Sequence, residues 1–437
     1  MNKQTNKKSS DSDTNAPRSI KRQIIVSVAV ILLLLGATVL VILYGKGFRP
    51  SNQGGVLKLS KTGILSLNSY PNGAEVYINN HLTVATNNNS LNLTPGKYNV
   101  KITKEGYSDW QKDFEIKPEQ VSYAEATLYP QAPSLQSIST YGIQSAIIDP
   151  TGTKLAFNLA SSSAKKNGIY VYDMTSRNFP ILAGQSNTTQ IVDDTVDNFS
   201  QAKIVWSPDG TQILASISAS TNASPTFYLL NAKTLNQTPQ DITALYTNTL
   251  DLWQQQRKDK EAAQIKSLPK AVQNFAKTNW SILSWSPDEN EILYQASQSA
   301  EMPIMKKPRL IGDNNLYEQR RLDQNSIYVY NIKEDFNTRI LNQIDKVCTL
   351  DNPECNCEEF TKCPLPLTWL PDSNHLIYVH DKTIYVIEDD GSNQTTLYAG
   401  PFVDHYVFPW PDGSKLVILT NFNNSSVPPT LYSIGLK

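Results

Sequence analysis

Apolar and polar positions follow three different rhythms along this chain. The first has no alternation: "IIVSVAVILLLLGATVLVILY", Ile24 to Tyr44, carries no charge in 21 residues. As a helix rising about 1.5 Å per residue it reaches about 31 Å, the thickness of a bilayer's hydrocarbon core. A cleaved leader has a shorter apolar run followed by small residues at its cleavage point. Here Lys46 interrupts the one small-x-small candidate, Gly45 to Gly47. The expected element is a retained single-pass helix over 24–44, held in the lipid bilayer, after a polar tail over 1–23. Lys7, Lys8, Arg18, Lys21 and Arg22 precede it, and Lys46, Arg49, Lys58 and Lys61 follow it. That asymmetry is slight. The tail is too short to fold, so the N-terminus is expected in the cytoplasm and the rest of the chain outside it.

The second rhythm has period two. After a linker over 45–62, "ILSLNS", "EVYIN", "KYNVKIT", "WQKDFEIK" and "VSYAEATLYP" read as short strands. Pro71-Asn72-Gly73-Ala74 and Pro95-Gly96 are turns, with Pro presetting φ and Gly free to take φ > 0. Four motifs then fall in order: Pro71 to Ala74; Val76-Tyr77-Ile78-Asn79; Thr94-Pro95-Gly96-Lys97-Tyr98; and Lys104-Glu105-Gly106-Tyr107 with Trp110. Together they resemble the PEGA domain over 63–130, with Asn72 where that family's name has Glu. The resemblance implies a small β-sandwich-like module of the kind found on bacterial surface proteins. It implies no catalytic residues.

The third rhythm is a repeat. "IIDPTGTKLAF", "VWSPDGTQILAS", "SWSPDENEILYQA", "TWLPDSNHLIYVH" and "FPWPDGSKLVILT" each set a turn between two apolar runs. The turns hold Pro150; Pro208, Asp209 and Gly210; Pro287 and Asp288; Pro371 and Asp372; and Pro411, Asp412 and Gly413. Pro-Asp-Gly is hairpin chemistry, with Asp bonding backbone amides and Gly or Asn accepting the left-handed region. A tyrosine-bearing strand follows each hairpin: "GIYVYD", "TFYLLN", "SIYVYN", "TIYVIE" and "TLYSIG". Strand, Pro-Asp turn, strand, loop, strand, polar turn, strand is one four-stranded blade, and its repetition predicts a β-propeller over 131–437. The pattern resembles TolB-like propellers within the wider WD-type class. Five blades are visible, and "SLQSISTYG" with terminal strands could supply a sixth. The fold expected is mainly β: a transmembrane helix, a PEGA domain, then a propeller.

Two insertions break the repeat. About residues 248–278 the text is helical, with Leu252, Trp253, Ile265, Leu268, Val272 and Phe275 at helical intervals and Pro269 dividing two helices. Over 348–363 lie all four cysteines, Cys348, Cys355, Cys357 and Cys363. Their spacing lacks the paired two-residue gaps of common zinc sites. In an exported chain they are candidates for two disulfides, with zinc as the alternative.

Candidate chemistry is sparse. The net charge of −1 gives no field for nucleic acid. No Asp box of the sialidase kind occurs, nor a Gly-x-Ser-x-Gly elbow, nor a phosphate loop. His81, His375, His380 and His405 form no ligand motif and read as surface or edge residues. Asp193, Asp194 and Asp197 form a solvated loop without complete calcium spacing. No cofactor or metal is expected. The function expected is a membrane-anchored, extracytoplasmic, non-catalytic binding or scaffolding protein of the bacterial envelope. Its partner would be a protein or a cell-wall polymer, engaged through the propeller. The alternative is a hydrolase or lyase acting on glycan or peptide with acids in the propeller mouth, since carboxylates from separate blades leave no local motif.

Overall fold

The computed structural model describes residues 18–45, 48–53, 56–84, 89–139, 142–160, 165–175, 187–218, 224–307, 317–342, 367–403 and 406–437. They fall into two compact units: Met1–Ser66, Ser90–Lys97 and Glu115–Tyr123 in one, and Leu67–Asn89, Tyr98–Phe114 and Ala124–Lys437 in the other. The four cysteines and His405 lie outside the described residues.

The apolar run forms α1 (Arg18–Gly45). Its segment Arg22–Gly45 is long and apolar enough to cross a membrane, and no residue in it is buried. The stretch expected to be a linker instead pairs as an antiparallel hairpin, β1 (Phe48–Gln53) with β2 (Val56–Lys61).

Seven short strands follow: β3 (Gly63–Tyr70), β4 (Glu75–Ile78), β5 (His81–Val84), β6 (Asn89–Leu93), β7 (Gly96–Thr103), β8 (Trp110–Ile116) and β9 (Val121–Thr127). They make a three-stranded sheet, β6-β3-β9, and a four-stranded one, β5-β4-β7-β8. Period-two patterning dictates the facing: along β8 Trp110, Phe114 and Ile116 are buried and Gln111, Asp113 and Glu115 are exposed. Gly73 takes φ +80° in the Pro71 turn, as its sequence requires. The β4–β5 connection is a two-residue turn at Asn79 and Asn80, both at positive φ.

The repeats form blades. Blade 1 is β11 (Ile143–Ile148), β12 (Lys154–Leu159), β13 (Gly168–Asp173) and β14 (Thr188–Asp193). Blade 2 is β15 (Lys203–Trp206), β16 (Gln212–Ile217), β17 (Thr226–Asn231) and β18 (Gln240–Asp241). Helices α2 (Tyr246–Ser267) and α3 (Lys270–Asn279) intervene, breaking at Pro269 as expected. Blade 3 is β19 (Trp280–Trp285), β20 (Glu291–Ala296), β23 (Ile327–Asn331) and β24 (Phe336–Leu341), with a small hairpin, β21 (Ala300–Glu301) and β22 (Arg321–Leu322), inserted. Blade 4 is β25 (Leu367–Trp369), β26 (His375–His380), β27 (Thr383–Glu388) and β28 (Thr395–Tyr398). Blade 5 is β29 (Val407–Pro409), β30 (Lys415–Thr420) and β31 (Thr430–Gly435), and its outermost place is taken by β10 (Leu135–Ser137) from the other end of the repeat region. The "SLQSISTYG" segment therefore completes the fifth blade and does not start a sixth.

Blades pack face to face. Ala156, Ile169 and Val171 of blade 1 meet Ile204, Trp206 and Ile213 of blade 2. Leu293, Ile327 and Val329 of blade 3 meet Leu376 and Ile387 of blade 4. Blade 4 meets blade 5 through Ile384, Val386, Leu416 and Ile418, and blade 5 meets blade 1 through Val417, Leu419, Leu155 and Phe157. Blades 2 and 3 differ. The second face of blade 2, with Leu214, Phe227 and Leu229, is covered by Trp253 and Leu250 of α2. That of blade 3, with Ile292, Tyr294 and Tyr328, is covered by Val272 and Ala276 of α3 and by Leu268. Among the described residues no apolar cluster joins blades 2 and 3, and each helix covers the second face of one of them. Near the end of α2 Gln264 Nε2 donates to Glu289 Oε1 of the blade 3 hairpin at 2.8 Å. Leu252, expected to face inward, is 58 % exposed, because Trp253 one position on takes the buried stripe.

Candidate functional site

The five Pro-Asp hairpins join the first and second strands of their blades, so all open on one face of the ring. Each is held by local hydrogen bonds. Asp209 Oδ1 accepts from Ser207 Oγ at 2.6 Å and from Thr211 N at 3.1 Å, while Ser207 Oγ accepts from Gln212 N at 2.9 Å. Ser286, Asp288, Asn290 and Glu291 repeat this pattern. In blade 1 Asp149 stands in the serine's place and accepts from Thr153 N and Lys154 N, both at 2.7 Å. The left-handed residue is always the fourth of the phrase: Gly152, Gly210, Glu289, Ser373 and Gly413, at φ between 58° and 68°. Where Gly is missing, Glu289 and Ser373 take that conformation, and the Asn residues expected to take it do not.

Neighbouring hairpins also meet. Asp288 N donates to Ser373 Oγ at 3.1 Å across blades 3 and 4, and Trp206 Nε1 donates to Ile147 O at 3.3 Å across blades 2 and 1. The Ser207 hydrogen bond, reinforced by Thr211, holds Asp209 below the usual carboxylate range. Asp288, Asp372 and Asp412 are also lowered: burial opposes ionisation in each, and hydrogen bonds outweigh it. A lowered pKa in the fold gives stability that is present above the unfolded value and lost as pH falls through the folded one. The hairpins of Asp209, Asp288, Asp372 and Asp412 should therefore loosen below about pH 4. Asp209→Ala should cost on the order of 1 kcal/mol in urea unfolding at neutral pH. A value indistinguishable from zero would show that the carboxylate holds nothing.

His375 departs from its expected surface position. It is 7 % exposed, with Nδ1 at 2.8 Å from Asp372 Oδ2 and its ring edge-on to Tyr129 at 6.0 Å. Its neighbour in the turn supplies the partner that lets an imidazole be buried. Burial lowers its pKa, but the Asp372 hydrogen bond outweighs this and the net shift is upward. His380 is exposed beside Asp381 and His81 is exposed on β5, as expected. Asp193, Asp194 and Asp197 cap turns: their carboxylates accept from Thr195, Ser200 and Asn198, and Asp197 also from Tyr228. Among the described residues no group of His, Cys, Asp or Glu is arranged to hold a metal.

The chemistry that sequence reasoning missed lies at the seam between blades 3 and 4. Glu291 opens β20 and Asp389 follows β27, and each carboxyl perturbs the ionisation of the other. Glu291 Oε1 also accepts from Asn331 Nδ2 at 2.8 Å. Its Oε2 is buried and meets no hydrogen-bond donor among the described residues. Burial pushes Glu291 up to about 7, and burial together with Glu291 pushes Asp389 well up. The turn carrying Asp389 presses close on blade 3: a Cβ on Gly391, which sits at φ +77°, would lie 2.8 Å from Arg339 O.

Strand β8 lies against this turn. Lys112 Nζ pairs with Glu388 Oε2 at 3.1 Å and with Asp390, and Trp110 Nε1 donates to Glu388 Oε1. Gln111 N donates to Asn393 Oδ1 at 2.9 Å, and Asp113 N to Tyr317 Oη at 3.2 Å. Side chains of the propeller therefore cap the outward N–H groups of this edge strand. Burial draws the Lys112 ammonium down, and Glu388 and Asp390 outweigh it, holding it above its usual value. On the β4–β7 face a separate shallow groove of about 490 Å3 is lined by Tyr77, Asn80, Lys101, Thr103 and Asp109.

This architecture defines a mainly β protein with an apolar helix near its N-terminus, a small β module and a propeller. The PEGA domain family model matches residues 62–131. No curated protein sequence matches the chain. Among solved structures it is similar to a putative TolB from Agrobacterium tumefaciens, at 16 % identity and a TM-score of 0.22, over 66 % of this chain and 77 % of that one. It is also similar to TolB from Acinetobacter baumannii, at 12 % and 0.21, over 78 % and 60 %. An oligogalacturonate lyase in complex with manganese aligns at 11 % and 0.21, over 78 % and 74 %. Superpositions at such scores carry no weight for fold or chemistry, and the propeller rests on the strand order and packing above.

Proposed function

We propose that this is a membrane-anchored, extracytoplasmic binding or scaffolding protein of the bacterial envelope, non-catalytic, engaging a protein or wall polymer through its propeller. The observation that carries the reading is the state of the acids that converge. Glu291 and Asp389 come from two blades, as an enzyme's carboxyls would, but Glu291 is buried and bonded to Asn331, and the Asp389 turn lies beside the seated β8. A carboxyl enclosed in a blade seam supports a structural role over contact with a substrate. The PEGA match and the uncovered helix Arg22–Gly45 support the envelope setting. In an oxidising compartment Cys348, Cys355, Cys357 and Cys363 would be paired as disulfides.

The test uses full-length protein in its own membranes. Protease added to intact cells should reach the region after Gly45, protein alkylated under denaturing conditions should show no free thiol, and wall polymer should co-sediment with it undegraded. Release of soluble sugar or peptide from that polymer, abolished by Glu291→Gln, would make the protein an enzyme. Protection from external protease together with four titratable thiols would place it on the other side of the membrane.

A further inference from the structure

The groove of about 490 Å3 on the β4–β7 face is of the size that small-molecule sites have, about 300–1,000 Å3. Val76, Ile78, Val100 and Ile102 are buried, so strand alternation turns Glu75, Tyr77, Lys101 and Thr103 to the opposite, outward face. Register sets them side by side, Glu75 opposite Thr103 and Tyr77 opposite Lys101. On its other flank Tyr77 meets Leu82 of β5, its cross-strand partner, which is 56 % exposed.

Tyr77 lies down on this face. Its Oη donates to Glu75 Oε2 at 2.8 Å, two positions back along the same strand. Residues two apart on a strand are about 6.6 Å from each other, close to the reach of a tyrosine from Cα to hydroxyl. The ring therefore leans along β4 and presents a flat side outward. Beside it Lys101 Nζ and Asp109 Oδ2 are 2.7 Å apart. A hydroxyl placed over that pair accepts from the ammonium and donates to the carboxylate at once. Asn80 and Thr103 add an amide and a hydroxyl to the lining.

These features select a chemical class. Strands β4 and β7 are the inner pair of their sheet, so a peptide strand finds no edge to join there and recognition runs through side chains. The charges of Lys101 and Asp109 cancel, and Glu75 leaves a carboxylate in surplus, so phosphate-rich or uronate-rich polymers are repelled. An outward ring with donors and acceptors around it suits a molecule with an apolar face and a polar rim. A neutral pyranose has that form, with C–H groups on its faces and hydroxyls along its edge.

We propose that the outward face of β4 and β7 is a saccharide subsite, which takes a neutral sugar ring of a glycan chain flat on Tyr77, with its hydroxyls on Asn80, Lys101, Thr103 and Asp109. The subsite is separate from the propeller and holds glycan whatever partner the propeller engages.

The experiment is calorimetric titration of full-length protein, in micelles of a detergent whose head group is not a sugar, with cellotetraose, maltotetraose and chitotetraose. At least one should bind saturably with a Kd of about 1 mM or tighter. The tetramer of galacturonate should bind about tenfold more weakly or not at all. Tyr77→Ala should weaken the neutral sugar about tenfold or more while the unfolding midpoint stays near that of the wild type. Asp109→Ala should weaken it too, and guards against a folding defect in the first variant. Tyr123→Ala, which removes a tyrosine 65 % exposed on β9, should leave binding unchanged. Failure of all three neutral sugars to bind overturns the subsite, as does galacturonate bound equally well. Sugar binding that survives both Tyr77→Ala and Asp109→Ala puts the glycan elsewhere on the chain, which overturns the subsite and leaves the propeller reading standing.

Discussion

Asp335→Ala should unfold the protein at a urea concentration well below that of the wild type, a loss of about 3–5 kcal/mol. Asp335 is fully buried in the turn between β23 and β24. Its Oδ2 accepts from Met305 N at 2.8 Å and Lys306 N at 2.9 Å, and its Oδ1 accepts from Tyr330 Oη at 3.1 Å. Arg320 pairs with the same carboxylate at 3.3 Å and also donates to the Asp335 main-chain oxygen. The alanine variant removes every side-chain acceptor at once and leaves two amides, a phenol and part of a guanidinium facing a small void. The cost of unsatisfied buried donors, more than the lost bonds, sets the size of the effect. Asp335→Asn keeps one acceptor and should lose distinctly less. Equal losses for the two variants would mean that charge, and not the number of acceptors, holds the blade 3 insertion.

Trp253→Ala is expected to cost a similar about 3–5 kcal/mol, by a different route. The indole is 4 % exposed and packs with Leu214, Ile242, Phe227 and Leu229. It is the buried anchor of α2 on blade 2, and the middle of that helix is polar around its circumference. Removing it opens a cavity between α2 and the sheet. Leu252→Ala, one residue away on an exposed position, should change stability by less than about 0.5 kcal/mol. If the two substitutions cost the same, the helical pair is not fastened through Trp253.

The blades were legible in the sequence because they repeat. Each Pro-Asp turn and each tyrosine strand is a local signal, and five copies of the pair in the same order, however far apart insertions push them, point to one architecture. The break between helices at Pro269 was legible for the same local reason. What was not legible is non-local. Glu291 and Asp389 come from different blades, and each alone reads as an ordinary polar residue at a strand end. Asp335 looks like one more loop acid in "NIKEDFN". His375 carried a usable clue, since Asp372 three positions earlier could turn back on it across the hairpin. The strand β10 had the weakest signature: three residues, all exposed, with no apolar stripe to mark a face.

That strand fixes the order in which the molecule can be finished. Synthesis delivers β10 before any blade, but its partner β31 is the last strand of the chain, and Ser433 Oγ reaches Gln136 O across 297 positions. Throughout translation the early strand must wait unpaired while four blades assemble behind it. A ribosome stalled near residue 420 would leave a molecule with nearly all its blades and no way to join its ends, its bare edges open to pairing with the wrong chain. Strand β31 thus completes the fifth blade only after the strands of the four earlier blades have been made.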